Sequence, residues 1–207
     1  MALTYPAVRA CRTVRYYRSY GAGNQYAVVD APQYDSGKCP GVQQIETAQL
    51  QLDAFAGGGM KTAAYCSLYF QAGAGSRGQQ AQNCLNTIQS SRLGTSSFVG
   101  LGVGGSSALP AADAAALISQ AAATVSGASV RPAIYTERSS WREITHNSGA
   151  FSSYALWATD VGVPSLTPFT TPFGGWTIQS GRQYAMNERL ADIKRVDFDV
   201  YDPALWP

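Results

Sequence analysis

Apolar residues in this chain cluster in short blocks separated by glycine, serine and proline. The run Phe98-Val99-Gly100-Leu101-Gly102-Val103-Gly104-Gly105, bounded by Thr95-Ser96-Ser97 and Ser106-Ser107, carries no polar side chain, as expected of a strand buried on both faces. Tyr26 to Ala31 reads as a shorter strand that includes a carboxylate, and Met60 to Phe70 and Val130 to Thr136 read as further strands. Between them the period lengthens. Ile45, Ala48, Leu52 and Phe55, spaced three and four apart, predict a helix over 42–55 that Gly57-Gly58-Gly59 stops. Helices are likewise expected over Gln79–Ile88, over the alanine-rich stretch Pro110–Val125, and over Ser139–Ile144 around Trp141. Strand alternating with helix calls for a parallel sheet with right-handed crossovers. The last third breaks the rhythm: strands are expected at Tyr154–Thr159, Trp176–Gln179 and Arg195–Tyr201, joined by loops holding Pro164, Pro168, Pro172, Gly174 and Gly175.

At 207 residues the chain suits one domain spanning 1–207, with residues 1–25 a possible N-terminal arm or degenerate first unit. Arg9, Arg12, Arg15 and Arg18 in that segment, at a spacing of three, would spread over about half a helix circumference. A net charge of +2 without a long basic tract gives no field for holding nucleic acid. Serine, glycine and proline interrupt the uncharged stretch between Arg92 and Asp113 too often for a membrane span, and no signal-peptide core is visible. Charged residues are only 14% of the chain against a usual ~25%, which suits an extracellular or cell-surface setting or a phage particle. Cys11, Cys39, Cys66 and Cys84 permit two disulfides in three pairings, but in a chain this large buried thiols are the simpler expectation. His146 is the sole histidine and no ligand spacing accompanies it, so neither a metal nor another cofactor is expected.

Four stretches in order carry a resemblance: Ala133-Ile134-Tyr135-Thr136 followed by Trp141, Leu156-Trp157-Ala158, Trp176-Thr177-Ile178-Gln179-Ser180, and Val196-Asp197-Phe198-Asp199-Val200-Tyr201. Together they resemble the "iYT...W", "lW.A", "WQYs" and "vDlNvf" signatures of glycoside hydrolase family 25, the lysozyme-like muramidases. The likeness covers about residues 26–202. It implies an α/β fold, a compact irregular TIM-like β/α barrel with few helices between the last three strands. It also implies catalytic acids at the carboxyl ends of strands one, four and eight, with a D-x-E pair on strand four. Here Leu101-Gly102-Val103-Gly104 stands in the place of that pair, so Gly102 and Gly104 are lost catalytic positions, and no acidic residue precedes Asp30. Asp197 remains. Glycoside hydrolysis normally takes two carboxyl groups, and glycine supplies neither.

The resemblance therefore implies a muramidase-like barrel without hydrolysis, binding a cell-wall or surface glycan or serving as a structural module beside other protein subunits of a particle. Asp30, Tyr65, Tyr135, Trp157, Trp176 and Gln179 are the candidate glycan contacts, since sugars stack on such rings. An active hydrolase would need relocated acids, for which Asp197, Glu137 and Asp160 stand at or near strand ends. Such carboxylates also cap loops or pair with arginines such as Arg138, Arg182 and Arg195. Gly100-x-Gly102-x-x-Gly105 matches a dinucleotide fingerprint, but the nearest suitable acid, Glu137, lies 32 residues beyond Gly105 rather than ~20.

Overall fold

The computed structural model describes residues 14–18, 25–30, 61–71, 79–89, 96–190 and 193–206. Eight strands form one sheet in chain order: β1 (Val14–Arg18), β2 (Gln25–Asp30), β3 (Lys61–Ser67), β4 (Ser96–Val103), β5 (Arg131–Thr136), β6 (Ala155–Thr159), β7 (Gly181–Leu190) and β8 (Ile193–Tyr201). From β2 to β7 every neighbouring pair is parallel, while β1 and β8 attach antiparallel at the two flanks. The flanking strands approach one another, so the sheet is curled. Helices α1 (Gln79–Gln89), α2 (Ala111–Gly127) and α3 (Arg138–Thr145) follow β3, β4 and β5. No helix separates β6, β7 and β8 among the described residues, which is the helix-poor close expected from the proline and glycine content of 160–175.

Curling divides the apolar residues into two cores. Outside, α2 lays Ala114, Leu117, Ile118, Ala121, Ala122 and Val125 against the sheet, a stripe at spacings of three and four. That layer meets Val99, Leu101 and Val103 of β4, Ile134 of β5 and Leu156 of β6. Inside, Ala63, Phe98, Ala133, Trp157 and Tyr201 pack together with Tyr65. Because strand residues alternate faces, one run such as 98–103 serves both cores, which is why it contains no polar position. The amino end of the interior is closed by the 3₁₀ turn Pro203–Leu205 and Trp206, whose ring lies 4.8 Å from that of Phe98. Lys61 Nζ donates to the Trp206 carbonyl at 3.1 Å and Arg131 to that of Ala204 at 2.6 Å, tying this plug to β3 and β5.

Four expectations change. The strand expected at Trp176–Gln179 is instead a turn with a single bridge, Phe173 to Trp176, and β7 begins at Gly181. Trp176 faces the outer core against Trp141, so its β-like composition reflects burial rather than a ladder. Within 1–25, Val14–Arg18 is a strand paired with β2, so Arg15 and Arg18 do not ride on a helix. The glycine fingerprint also fails: Gly100 and Gly102 lie inside β4 and α2 begins only at Ala111, so there is no tight strand-to-helix turn for a pyrophosphate. Finally, Cys66 is disulfide-bonded rather than a buried thiol. The helix expected over 42–55 lies outside the described residues.

The disulfide yields a direct expectation. Reducing the protein, or substituting Cys66→Ser, should lower the unfolding free energy by about 2–4 kcal/mol, because the cross-link restricts the unfolded chain. Chemical denaturation with and without reductant measures it, and coincident curves would contradict it.

Candidate functional site

Parallel strands bring their carboxyl ends to one side of the sheet. On the inner face at that side stand Tyr65 of β3, Gly102 of β4, Tyr135 of β5, Thr159 of β6, Gln183 of β7 and Asp197 of β8. Asp30 ends β2, the first of the parallel strands, in register with Tyr65. Four of these residues, Tyr135, Thr159, Gln183 and Asp197, form a connected polar row. Tyr135 Oη donates to Gln183 Oε1 at 2.6 Å, and Gln183 Nε2 donates to Asp197 Oδ2 at 3.1 Å. The Thr159 hydroxyl reaches the same Gln183 oxygen at 3.4 Å. Deeper, the Trp157 indole N–H donates to Asp199, and both side chains are fully buried.

Gly102 and Gly104, the two glycines singled out in the sequence, differ in their surroundings. A Cβ on Gly102 would fall 2.7 Å from Cε2 and Cζ of Tyr65 and closer still to its hydroxyl, inside van der Waals contact. The Tyr65 ring thus fills the space above Gly102, steadied by an edge contact with Tyr135 at 5.0 Å and by Ser67 Oγ donating to its hydroxyl at 3.1 Å. Gly104 is exposed, and a Cβ there would meet nothing within 4 Å. The space beside Gly102 is thus filled by a ring, while that beside Gly104 is open.

The structure separates the residues singled out in the sequence. Tyr65, Tyr135, Trp157 and Asp197 come together in the interior, and the backbone of Asp30 ends β2 beside Tyr65. Trp157 is wholly buried and presents no face to a sugar. Trp176 and Gln179 belong to the outer layer: the Trp176 indole donates to the Tyr154 carbonyl at 3.0 Å and Gln179 Nε2 to that of Thr167 at 3.1 Å. Glu137 and Asp160 line a cleft of about 700 Å³ between α3 and the 160–173 loop, and Asp197 is not among its lining residues. Glu137 accepts from Ser139 at 2.7 Å and Ser140 at 3.0 Å. Asp160 lies 3.5 Å from the buried Arg182 guanidinium, whose pKa burial pushes below its ordinary value while Asp160 pulls it back up. His146 is an exposed residue in left-handed conformation capping α3, without a catalytic neighbour.

Gln183 and Asp199 escaped the sequence reading. The signal for Asp199 was the alternation in Val196–Tyr201, which sets Asp197, Asp199 and Tyr201 on one face. Gln183 lies three residues beyond the stretch Trp176–Ser180 that carries the resemblance. Among the described residues no cluster of three or more His, Cys, Asp or Glu could hold a metal, and no helix is long and apolar enough to cross a membrane.

The lysozyme-like protein 1 family model matches residues 24–184. No curated protein matches the sequence. Among solved structures, the muramidase from Acremonium alcalophilum is similar at 20% identity, with 92% of this chain and 93% of that one covered and a TM-score of 0.60. A family GH25 lysozyme from Aspergillus fumigatus is similar at 17% identity over 79% of this chain and 75% of that one, with a TM-score of 0.56. The bacterial lysozyme from Streptomyces coelicolor is similar at 16% identity over 91% of each chain, with a TM-score of 0.58. With more than three quarters of its length matched by that family model, and its curled parallel sheet shared with the muramidases, this chain belongs to the lysozyme-like protein 1 family and has the fold of the family 25 lysozymes.

Proposed function

We propose that this chain, as a single domain folded into a TIM-like β/α barrel, engages cell-wall glycan without hydrolysing it by the acids its relatives' fold would carry on strand four. One observation carries the reading: the Tyr65 ring occupies the space a side chain at Gly102 would need. A retaining or inverting glycosidase needs one carboxyl to protonate the leaving oxygen and a second as nucleophile or base. Proton transfer by a positioned acid contributes about 10²- to 10⁴-fold in rate, and bare backbone cannot supply it. What stays at the carboxyl side is a row of hydrogen-bonding groups, Tyr135, Gln183 and Asp197, flanked by Tyr65 and Asp30, and this row is the glycan contact. A disulfide at Cys66 supports an oxidising setting outside the cytosol.

A second reading rests on Glu137 and Asp160 lining one cleft, where two carboxylates could serve as a relocated pair. Purified peptidoglycan separates the two. The protein should sediment with the insoluble polymer while releasing no new reducing ends. Turnover that disappears in Glu137→Gln or Asp160→Asn would establish the hydrolase instead.

A further inference from the structure

The cleft holding Glu137 and Asp160 contains more cation than its own acids satisfy. Arg138, Arg142 and Arg182 all line it. Arg138 and Arg142 sit four apart on α3, on one face of the helix. Asp160 is engaged with Arg182, and Glu137 is engaged with two serine hydroxyls. Neither Arg138 nor Arg142 has an acidic partner within 4.0 Å among the described residues. The shortfall is sharper at individual atoms: Nε of Arg138 and Nε of Arg182 are both buried without an acceptor among the described residues. Arg182 is 2% exposed, and its terminal nitrogens are held by Thr167 and Asp160. A buried N–H without an acceptor costs about 1–3 kcal/mol, more where the group is charged.

Ring contacts hold these guanidiniums in place. Cζ of Arg138 lies 5.8 Å from the Phe173 ring centroid, and Cζ of Arg182 lies 5.9 Å from that of Phe169. The terminal donors of Arg182 are already engaged by Thr167 and Asp160, so Arg138 and Arg142 supply the open forks, the geometry that matches planar carboxylate and tetrahedral phosphate. We propose that the cleft between α3 and the 160–173 loop is an oxyanion-binding site, in which Arg138, Arg142 and Arg182 hold a carboxylate or phosphate group. Thr159 lines this cleft and its hydroxyl also reaches Gln183, so the cleft adjoins the interior row, but the anion reading does not depend on the glycan reading.

Inorganic phosphate and acetate, titrated separately against the whole chain at constant ionic strength made up with chloride, test the proposal by calorimetry and by thermal shift. Saturable binding of either anion is expected, and the tighter of the two identifies the group the cleft takes. Arg142→Gln, at an exposed position, should weaken binding about tenfold while leaving the far-ultraviolet spectrum unchanged. Asp160→Asn should strengthen it several-fold, since it removes the carboxylate competing for Arg182. A purely structural Arg182–Asp160 pair predicts the opposite, lower thermal stability with no gain in affinity. Absence of saturable binding by either anion to the folded wild-type chain, or equal affinity in Arg142→Gln, would overturn the proposal.

Discussion

Gly102→Glu is expected to abolish folding or lower the unfolding free energy by an amount comparable to the whole, while Gly104→Glu is expected to change it by no more than about 0.5 kcal/mol. At 102 the first added carbon meets the Tyr65 ring at 2.7 Å. Overpacking of this kind costs about 1–3 kcal/mol, and a carboxylate forced into the closed interior costs several more. Against a typical total of about 5–15 kcal/mol that sum decides the outcome. At 104 the side chain enters solvent. The milder Gly102→Ala isolates the steric part: about 1–3 kcal/mol with Tyr65 in place and much less in a Tyr65→Ala background, a coupling that a double-mutant cycle reads directly. If Gly102→Ala were as stable as the parent, Tyr65 would not be filling the space, and the main support for lost hydrolysis would be gone.

The sequence made the sheet legible wherever one strand serves both cores. At 98–103 and 131–136, burial on both faces leaves a compositional mark that does not depend on knowing the neighbours. It failed at 176–179, where Trp176 is buried by a loop folded onto the outer core rather than by a ladder. The site was legible only as absences and single residues. Asp197 and Tyr135 could be nominated one at a time, but nothing in the spacing shows that Gln183 joins them through its two amide atoms. Nor could the sequence distinguish a glycine that opens space from one whose space a distant ring has taken; Gly102 and Gly104 look alike until Tyr65 is placed between the strands. The arginine cleft was hidden for a similar reason. Arg182 does pair with the strand-end carboxylate of Asp160, as its type suggests, yet its Nε, like that of Arg138, is buried without an acceptor among the described residues.

Trp157→Ala should be the most destabilising truncation in the interior, at about 3–5 kcal/mol for the lost ring and its cavity. The indole is fully buried and lies within 4.4 Å of Tyr135, 5.5 Å of Tyr201, 6.0 Å of Tyr65 and 6.4 Å of Phe98, centroid to centroid. A Cβ on Gly100 would fall 2.9 Å from its six-membered ring, so the glycine admits the ring and the ring fills the void the glycine leaves. Truncation also withdraws the N–H that the buried Asp199 carboxylate accepts, a further cost of about 1–3 kcal/mol. Trp157→Phe separates the two contributions by keeping most of the ring while removing the donor. It should cost less than the alanine change, and the difference should shrink when Asp199→Asn replaces the charge. Denaturant unfolding of the single and double variants gives these values. A loss below about 1 kcal/mol for Trp157→Ala would mean that the interior is loosely packed. Tyr65 would then no longer be held over Gly102, because the two rings brace each other across β4 and β5, and the closed position at Gly102 depends on that bracing.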